Sequence, residues 1–143
     1  MTQEDRQILL KDLCARLPYG VKCCIYNFGE DIVRIKEDVL WSVQGDNILT
    51  LKSYVEKGEA YMYHQIKPYL FPLSSMTEEQ KKEYNTLLTD VPTYQYEYGD
   101  IVTVIESYDN WRSIDYLNAN HFDYRGLIDD GLAIDATNLN IYG

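Results

Sequence analysis

Between Val21 and Ile66 the chain is punctuated by three turn-forming clusters, Gly29-Glu-Asp31, Gln44-Gly-Asp-Asn47 and Lys57-Gly-Glu59, which separate runs rich in β-branched and aromatic residues. Parallel neighbours need a crossover of about a dozen residues or more, and none of these intervals supplies one. The stretch is therefore predicted to form a small antiparallel sheet or half-barrel, with strands near 21–27, 31–36, 39–44, 47–55 and 60–66. In the last of these, Tyr61, Met62, Tyr63 and His64 place bulky aromatic rings at strand spacing.

Helical signals flank this region. Thr2 can cap a helix over 3–17 whose apolar positions Leu9, Leu10, Leu13 and Leu17 recur at helical spacing, with Pro18 and Gly20 to end it. Pro68 and Pro72 remove backbone donors, so 67–75 reads as an extended connector along the sheet edge. Thr77-Glu-Glu-Gln80 spells a capping box for a helix over 78–89. Tyr94, Tyr96 and Tyr98 alternate with polar residues, then Gly99-Asp100 leads into Ile101–Ile105, which predicts a β-hairpin with a two-residue turn. Tyr108, Trp111, Ile114 and Leu117 repeat about every three residues and predict a helix over 107–119. Asn118, Asn120 and His121 suit its end, and Asp123 suits the cap of a short fourth helix closing at Gly131. The class implied is α+β in a single domain over 1–143: an N-terminal helix, the sheet, then C-terminal helices with the extra hairpin.

Charge is distributed unevenly. Residues 1–72 carry nine Lys/Arg against ten Asp/Glu, whereas residues 73–143 carry four against thirteen, so nearly all of the formal charge of −10 lies in the second half. Such a field repels phosphate backbones and anionic lipid surfaces, which bind through Lys and Arg; it accommodates a basic protein partner or a metal more easily, or serves solubility alone. No apolar run approaches the length of a membrane span, and the N-terminus lacks a basic stretch followed by an apolar one, so a cytoplasmic location is expected. Cys14, Cys23 and Cys24 are odd in number and lack CxxC spacing; they are expected to be reduced core residues.

Two groups of residues could carry function. The 14 tyrosines are many for 143 residues, and Tyr61, Tyr63, Tyr94, Tyr96 and Tyr98 at strand spacing could present a binding face, or cover a half-exposed core. His121-Phe-Asp123 could tune a general base or help hold a metal. With no third ligand at fixed spacing and no nucleophile nearby, the pair is better read as a helix junction. Arg125, with Asp115, Asp123, Asp129 and Asp130 around it in sequence, is expected to form an internal ion pair with them. No phosphate-loop, dinucleotide, zinc-protease, esterase or calcium-loop motif is present, and no cofactor is expected.

Three segments, residues 11–22 (KDLCARLPYGVK), 66–80 (IKPYLFPLSSMTEEQ) and 116–128 (YLNANHFDYRGLI), together resemble a family of small uncharacterised proteins from phages and integrated mobile elements of gut Bacteroidales. The resemblance implies a context and no activity. Asn120 departs from a usual Leu-Asn-Ala-His-His in that family, and if the missing His were a ligand this chain would lack it. The reading that follows is a non-enzymatic interaction protein of phage or mobile-element origin whose acidic, Tyr-rich surface engages a host or phage protein, a basic partner being one that the charge would suit. The alternative is a small-ligand binder for a nucleotide-type signal, with bases on the strand tyrosines and phosphates at Arg112 or Arg125, or near Lys22, Arg34, Lys36 and Lys52. A hydrolase or metal enzyme centred on His121 and Asp123 comes last.

Overall fold

The computed structural model describes residues 1–26, 33–44, 48–51, 61, 65–89, 95–98, 101–104 and 110–143; for 26, 33–37, 44, 48–51, 88–89, 95–98, 101–104 and 110 this covers the backbone alone. Thr2 opens the first helix, α1 (Gln3–Arg16), through a reciprocal capping box: its hydroxyl accepts from Asp5 N–H at 3.0 Å and the Asp5 carboxylate accepts from Thr2 N–H at 3.1 Å. Leu9, Asp12, Leu13 and Arg16 recur three or four residues apart, and all four are buried, so they form the inward face. Cys14 falls off that face and is exposed, which corrects its expected place in the core; Cys23 and Cys24 are buried.

Four strands form the antiparallel part of the sheet: β1 (Lys22–Tyr26), β2 (Val33–Gln44), β3 (Ile48–Leu51) and β4 (Ile66–Pro72), in the order β3-β2-β1-β4. The strands expected at 31–36 and 39–44 are one strand. Cys23 pairs with Asp38 while Ile25 pairs with Arg34, so residues 35–37 are absorbed as a register shift rather than a chain reversal. Of the strand expected at 60–66, Tyr61 makes an isolated bridge and Ile66 begins β4.

The proline-bearing segment is not a connector. As β4 it is the strand on which the rest of the fold converges, pairing antiparallel with β1 and parallel with two short strands, β7 (Phe122–Asp123) and β8 (Ile134–Asp135). The prolines are tolerated because the ladders are staggered: β1 pairs with 66–68, β8 with 69–70 and β7 with 71–72, so each residue of β4 has a partner on one side. The sheet is consequently mixed, which corrects the all-antiparallel expectation. The parallel strands arrive from the far end of the sequence, so the intervening chain serves as the crossover that the local intervals lacked. The Leu70–Phe71 peptide uses both its ends, the carbonyl accepting from Ala136 N–H and the N–H donating to the His121 carbonyl, each at 2.8 Å.

Helix α2 (Glu78–Thr89) lies where its capping box places it: Thr77 N–H donates to Gln80 Oε1 at 2.9 Å, and Gln80 N–H donates to Thr77 Oγ1 at 3.2 Å. Strands β5 (Gln95–Tyr98) and β6 (Ile101–Val104) form the expected hairpin, with Tyr98 paired to Ile101 so that Gly99 and Asp100 alone separate them. Helix α3 (Asn110–Ala119) follows. The expected fourth helix is instead a set of turns over 126–131, because Gly126 and Gly131 both adopt left-handed φ, 77° and 74°. The core joins Leu9 and Leu13 of α1 to Val21, Ile25, Leu40, Ile66, Leu70 and Leu127. No described helix is long and apolar enough to cross a membrane.

Candidate functional site

The Tyr116–Ile128 segment is a junction, and each of its polar side chains can be followed to a partner or a face. Asn120 closes α3: its backbone N–H and its side-chain Nδ2 both donate to the Tyr116 carbonyl, at 3.1 and 2.9 Å. Asn118 is buried, and its Oδ1 accepts from the Tyr124 hydroxyl at 2.9 Å. Asp123 does what a capping carboxylate does, although no helix follows it: its two oxygens accept from Leu127 N–H at 3.0 Å and Ile128 N–H at 2.9 Å. Both oxygens are therefore committed to the backbone rather than offered to His121. Among the described residues no three His, Cys, Asp or Glu side chains gather as a metal site would require.

Arg125 does not pair with the acids beside it in sequence. Its Nε stands 3.4 Å from Asp12 Oδ1 on α1, within charge attraction but without hydrogen-bond geometry, and its guanidinium lies over the Tyr124 ring at 5.0 Å. Asp12 also holds Arg16 Nε at 2.7 Å, and Arg16 donates from Nη2 to the Phe122 carbonyl at 2.6 Å. Asp12 and Arg16 are both fully buried, so burial pushes the Asp12 carboxyl above its usual range against the pull of Arg16 and then Arg125. The i,i+4 spacing of Asp12 and Arg16 was visible in the sequence, but it reads as an ordinary helix-surface pair until burial is known.

The ring of His121 occupies different surroundings. His121 has φ 62°, and its backbone N–H donates to the Asn118 carbonyl at 3.2 Å, so its helix-ending role is played by the backbone. That frees the imidazole, which stacks on Tyr142 with ring centroids 3.7 Å apart and planes 11° from parallel. Tyr142 is held in turn: its hydroxyl accepts from Lys22 N–H at 2.9 Å and donates to the Tyr69 carbonyl at 2.8 Å. Lys22 Nζ donates to the Ile141 carbonyl at 2.8 Å. Burial, then the charges of Arg16 and Lys22, hold the His121 imidazole down at about 4, so it is neutral at physiological pH. Among the described residues its buried Nδ1 has no hydrogen-bond partner.

Beside this stack opens a cavity of about 440 Å³ lined by Phe71, Phe122 and Tyr142 together with Ser75, Gln80, Asn120, His121 and Thr137. A scan against protein-family models, a search of curated proteins and a search of solved structures each found no match to this chain. The cavity assembles from the end of β4, the start of α2, the end of α3 and the C-terminal segment. Nothing in the local sequence announced Tyr142 or Thr137, which arrive there through the parallel pairing of β8 with β4.

The tyrosine candidates divide. Tyr61 is half-buried and packs against the main core, in keeping with a covering role. Tyr63 and Tyr94 lie outside the described residues, and Tyr96 and Tyr98 are placed on β5 by backbone alone. Of the bases considered for phosphate, Arg125 and Lys22 are engaged internally and Arg112 lies over the Trp111 ring at 5.3 Å. Arg34 and Lys36 are placed on β2 by backbone alone, and Lys52 lies outside the described residues. Trp111, counted with the apolar repeat of its helix, is instead 58% exposed.

Proposed function

We propose that the chain is a non-enzymatic interaction protein in which the α2–α3 surface engages a basic protein of host or phage origin. The observation that carries the reading is Trp111, a large aromatic side chain left 58% exposed at the start of α3 in the acidic half of the chain. Helices α2 and α3 pack together through the Tyr84 and Tyr116 rings, 6.2 Å apart, and through the Tyr116 hydroxyl, which donates to Glu83 at 2.9 Å. Exposed Glu78 and Glu79 add carboxylates in the first turn of α2, ahead of exposed Lys81 and Lys82. An exposed indole on a helix of the acidic half of the chain suits a partner that brings Arg or Lys around an apolar contact, since Trp supplies most binding energy per residue and charge supplies steering.

The test is capture of binding proteins at low salt, followed by kinetics on the partner identified. A basic partner whose association rate falls steeply between about 50 and about 500 mM salt, and whose dissociation constant rises at least about tenfold on Trp111→Ala, agrees with the proposal. An acidic partner, or an association rate indifferent to salt and to Trp111, would overturn it.

A further inference from the structure

Trp111, Glu78 and Glu79 are not among the residues that line the His121 cavity, and its chemistry is distinct. Among the described residues, no Lys, Arg, Asp or Glu lines it. A charged ligand would meet no ionised side chain on the wall itself, whereas an uncharged one meets aromatic walls at Phe71, Phe122 and Tyr142 and side-chain amides at Gln80 and Asn120. Its volume, about 440 Å³, lies within the range of small-molecule sites.

The tautomer of His121 sets the polarity of the contact. A neutral imidazole has one N–H and one lone pair. Nδ1 is buried without a partner, and an unpaired buried acceptor is tolerated more readily than an unpaired buried N–H. The proton therefore belongs on Nε2, which is not among the shut-in atoms and has no hydrogen bond among the described residues. The amide of Gln80 points the same way: Oε1 is used by the capping box, leaving its NH₂ hydrogens for a ligand. One hydrogen of Asn120 Nδ2 is spent on the Tyr116 carbonyl, and the other is not. The cavity thus offers neutral donors beside aromatic rings.

We propose that this cavity binds an uncharged, flat heterocycle bearing a carbonyl or ring-nitrogen acceptor, of nucleobase or nicotinamide size, with His121 Nε2–H as the reading group. The ligand's acceptor replaces solvent at Nε2, and its ring packs against Phe71, Phe122 or Tyr142.

The chain has 2 histidines, which makes imidazole NMR a direct reporter. Adenine, cytosine, uracil and nicotinamide are titrated into the intact chain, with benzoate and inorganic phosphate as anionic controls. The expected result is that His121 is in the Nε2–H form and that at least one neutral heterocycle shifts its ring resonances saturably, while the anions do not. His121→Asn, which suits the left-handed backbone, is expected to weaken that binding at least about tenfold. If none of the four heterocycles shifts His121, or if the Nδ1–H form is found, the proposal fails. A shift by benzoate or phosphate alone would make the cavity an anion site and equally overturn it. The wild-type titration decides the matter even if the variant does not fold, and neither result depends on the fate of Trp111.

Discussion

The seam between α1 and residues 121–128 and the outer face of α2 each carry acid–base pairs from the same small set of residue types, yet they hold them in opposite ways. In the seam, Asp12 and Arg16 are wholly shielded from water, and Arg16 reaches across to the Phe122 carbonyl. On α2, Lys81 Nζ stands 3.2 Å from Glu78 Oε1 with side chains 50% and 86% exposed. Desolvation makes the difference. A buried charge that loses its partner has no water to turn to, while an exposed one is resolvated at once. The seam is therefore where single substitutions do most harm, and the α2 face is where charge is free to serve a partner.

The severest break is Asp12→Ala. It leaves the buried Arg16 guanidinium with its Nε as well as its Nη1 lacking an acceptor among the described residues, and removes the counter-charge of Arg125. A loss of about 3–5 kcal/mol in denaturant unfolding is expected. A loss under about 1 kcal/mol would mean that the seam behaves like the surface, and the contrast would collapse.

Tyr142→Phe probes the other end of the same buried layer. The hydroxyl joins Lys22 N–H to the Tyr69 carbonyl, so its removal leaves one donor and one acceptor short while the ring still stacks on His121. The expected cost is about 2–3 kcal/mol, read by chemical denaturation. Because burial pushes the Tyr142 hydroxyl up, this contact is not lost to ionisation at working pH.

Acid sharpens the comparison further. His121 is held at about 4 against an ordinary 6.5, so between these values the unfolded chain takes up a proton that the folded chain refuses. Stability contributed by the neutral ring is full above 6.5 and is lost as pH falls towards 4. The wild type is thus expected to lose roughly 1–2 kcal/mol more than His121→Asn over that window, the partial exposure of the ring screening the rest. Asp12, raised by burial, works in the opposite sense, which is why the difference between the two proteins is measured rather than either curve alone. Equal slopes would show that His121 does not titrate as its surroundings require.

What the sequence made legible were the features set by neighbours along the chain. The capping boxes at Thr2 and Thr77, the hairpin around Gly99-Asp100 and the Asn118–His121 helix end each depend on a few adjacent residues. What it hid depends on contacts between distant segments. The 67–75 segment read as an edge because its prolines were weighed against a fully paired strand, whereas staggered ladders give each residue one neighbour. Arg125 read as paired to Asp115, Asp123, Asp129 or Asp130, but Asp123 is taken by backbone N–H groups and Asp129 and Asp130 are exposed, so Arg125 turns to Asp12. The cavity was invisible for the same reason, since it takes shape only when Tyr142 returns beside His121.

The smallest expected effect tests the other side of the contrast. Glu78 occupies the first turn of α2, so Glu78→Ala alone removes both a favourable helix-end charge and the pair with Lys81. A double-mutant cycle with Lys81→Ala separates the two, because the helix-end contribution appears in both arms and cancels. The coupling is expected to be below about 0.5 kcal/mol and to vanish as salt is raised. A coupling above about 1 kcal/mol that survives high salt would show that the α2 face holds its charges as tightly as the seam does. In that case Glu78 would not be available to a basic partner, and the acidic surface would have to be sought in Glu79 and beyond.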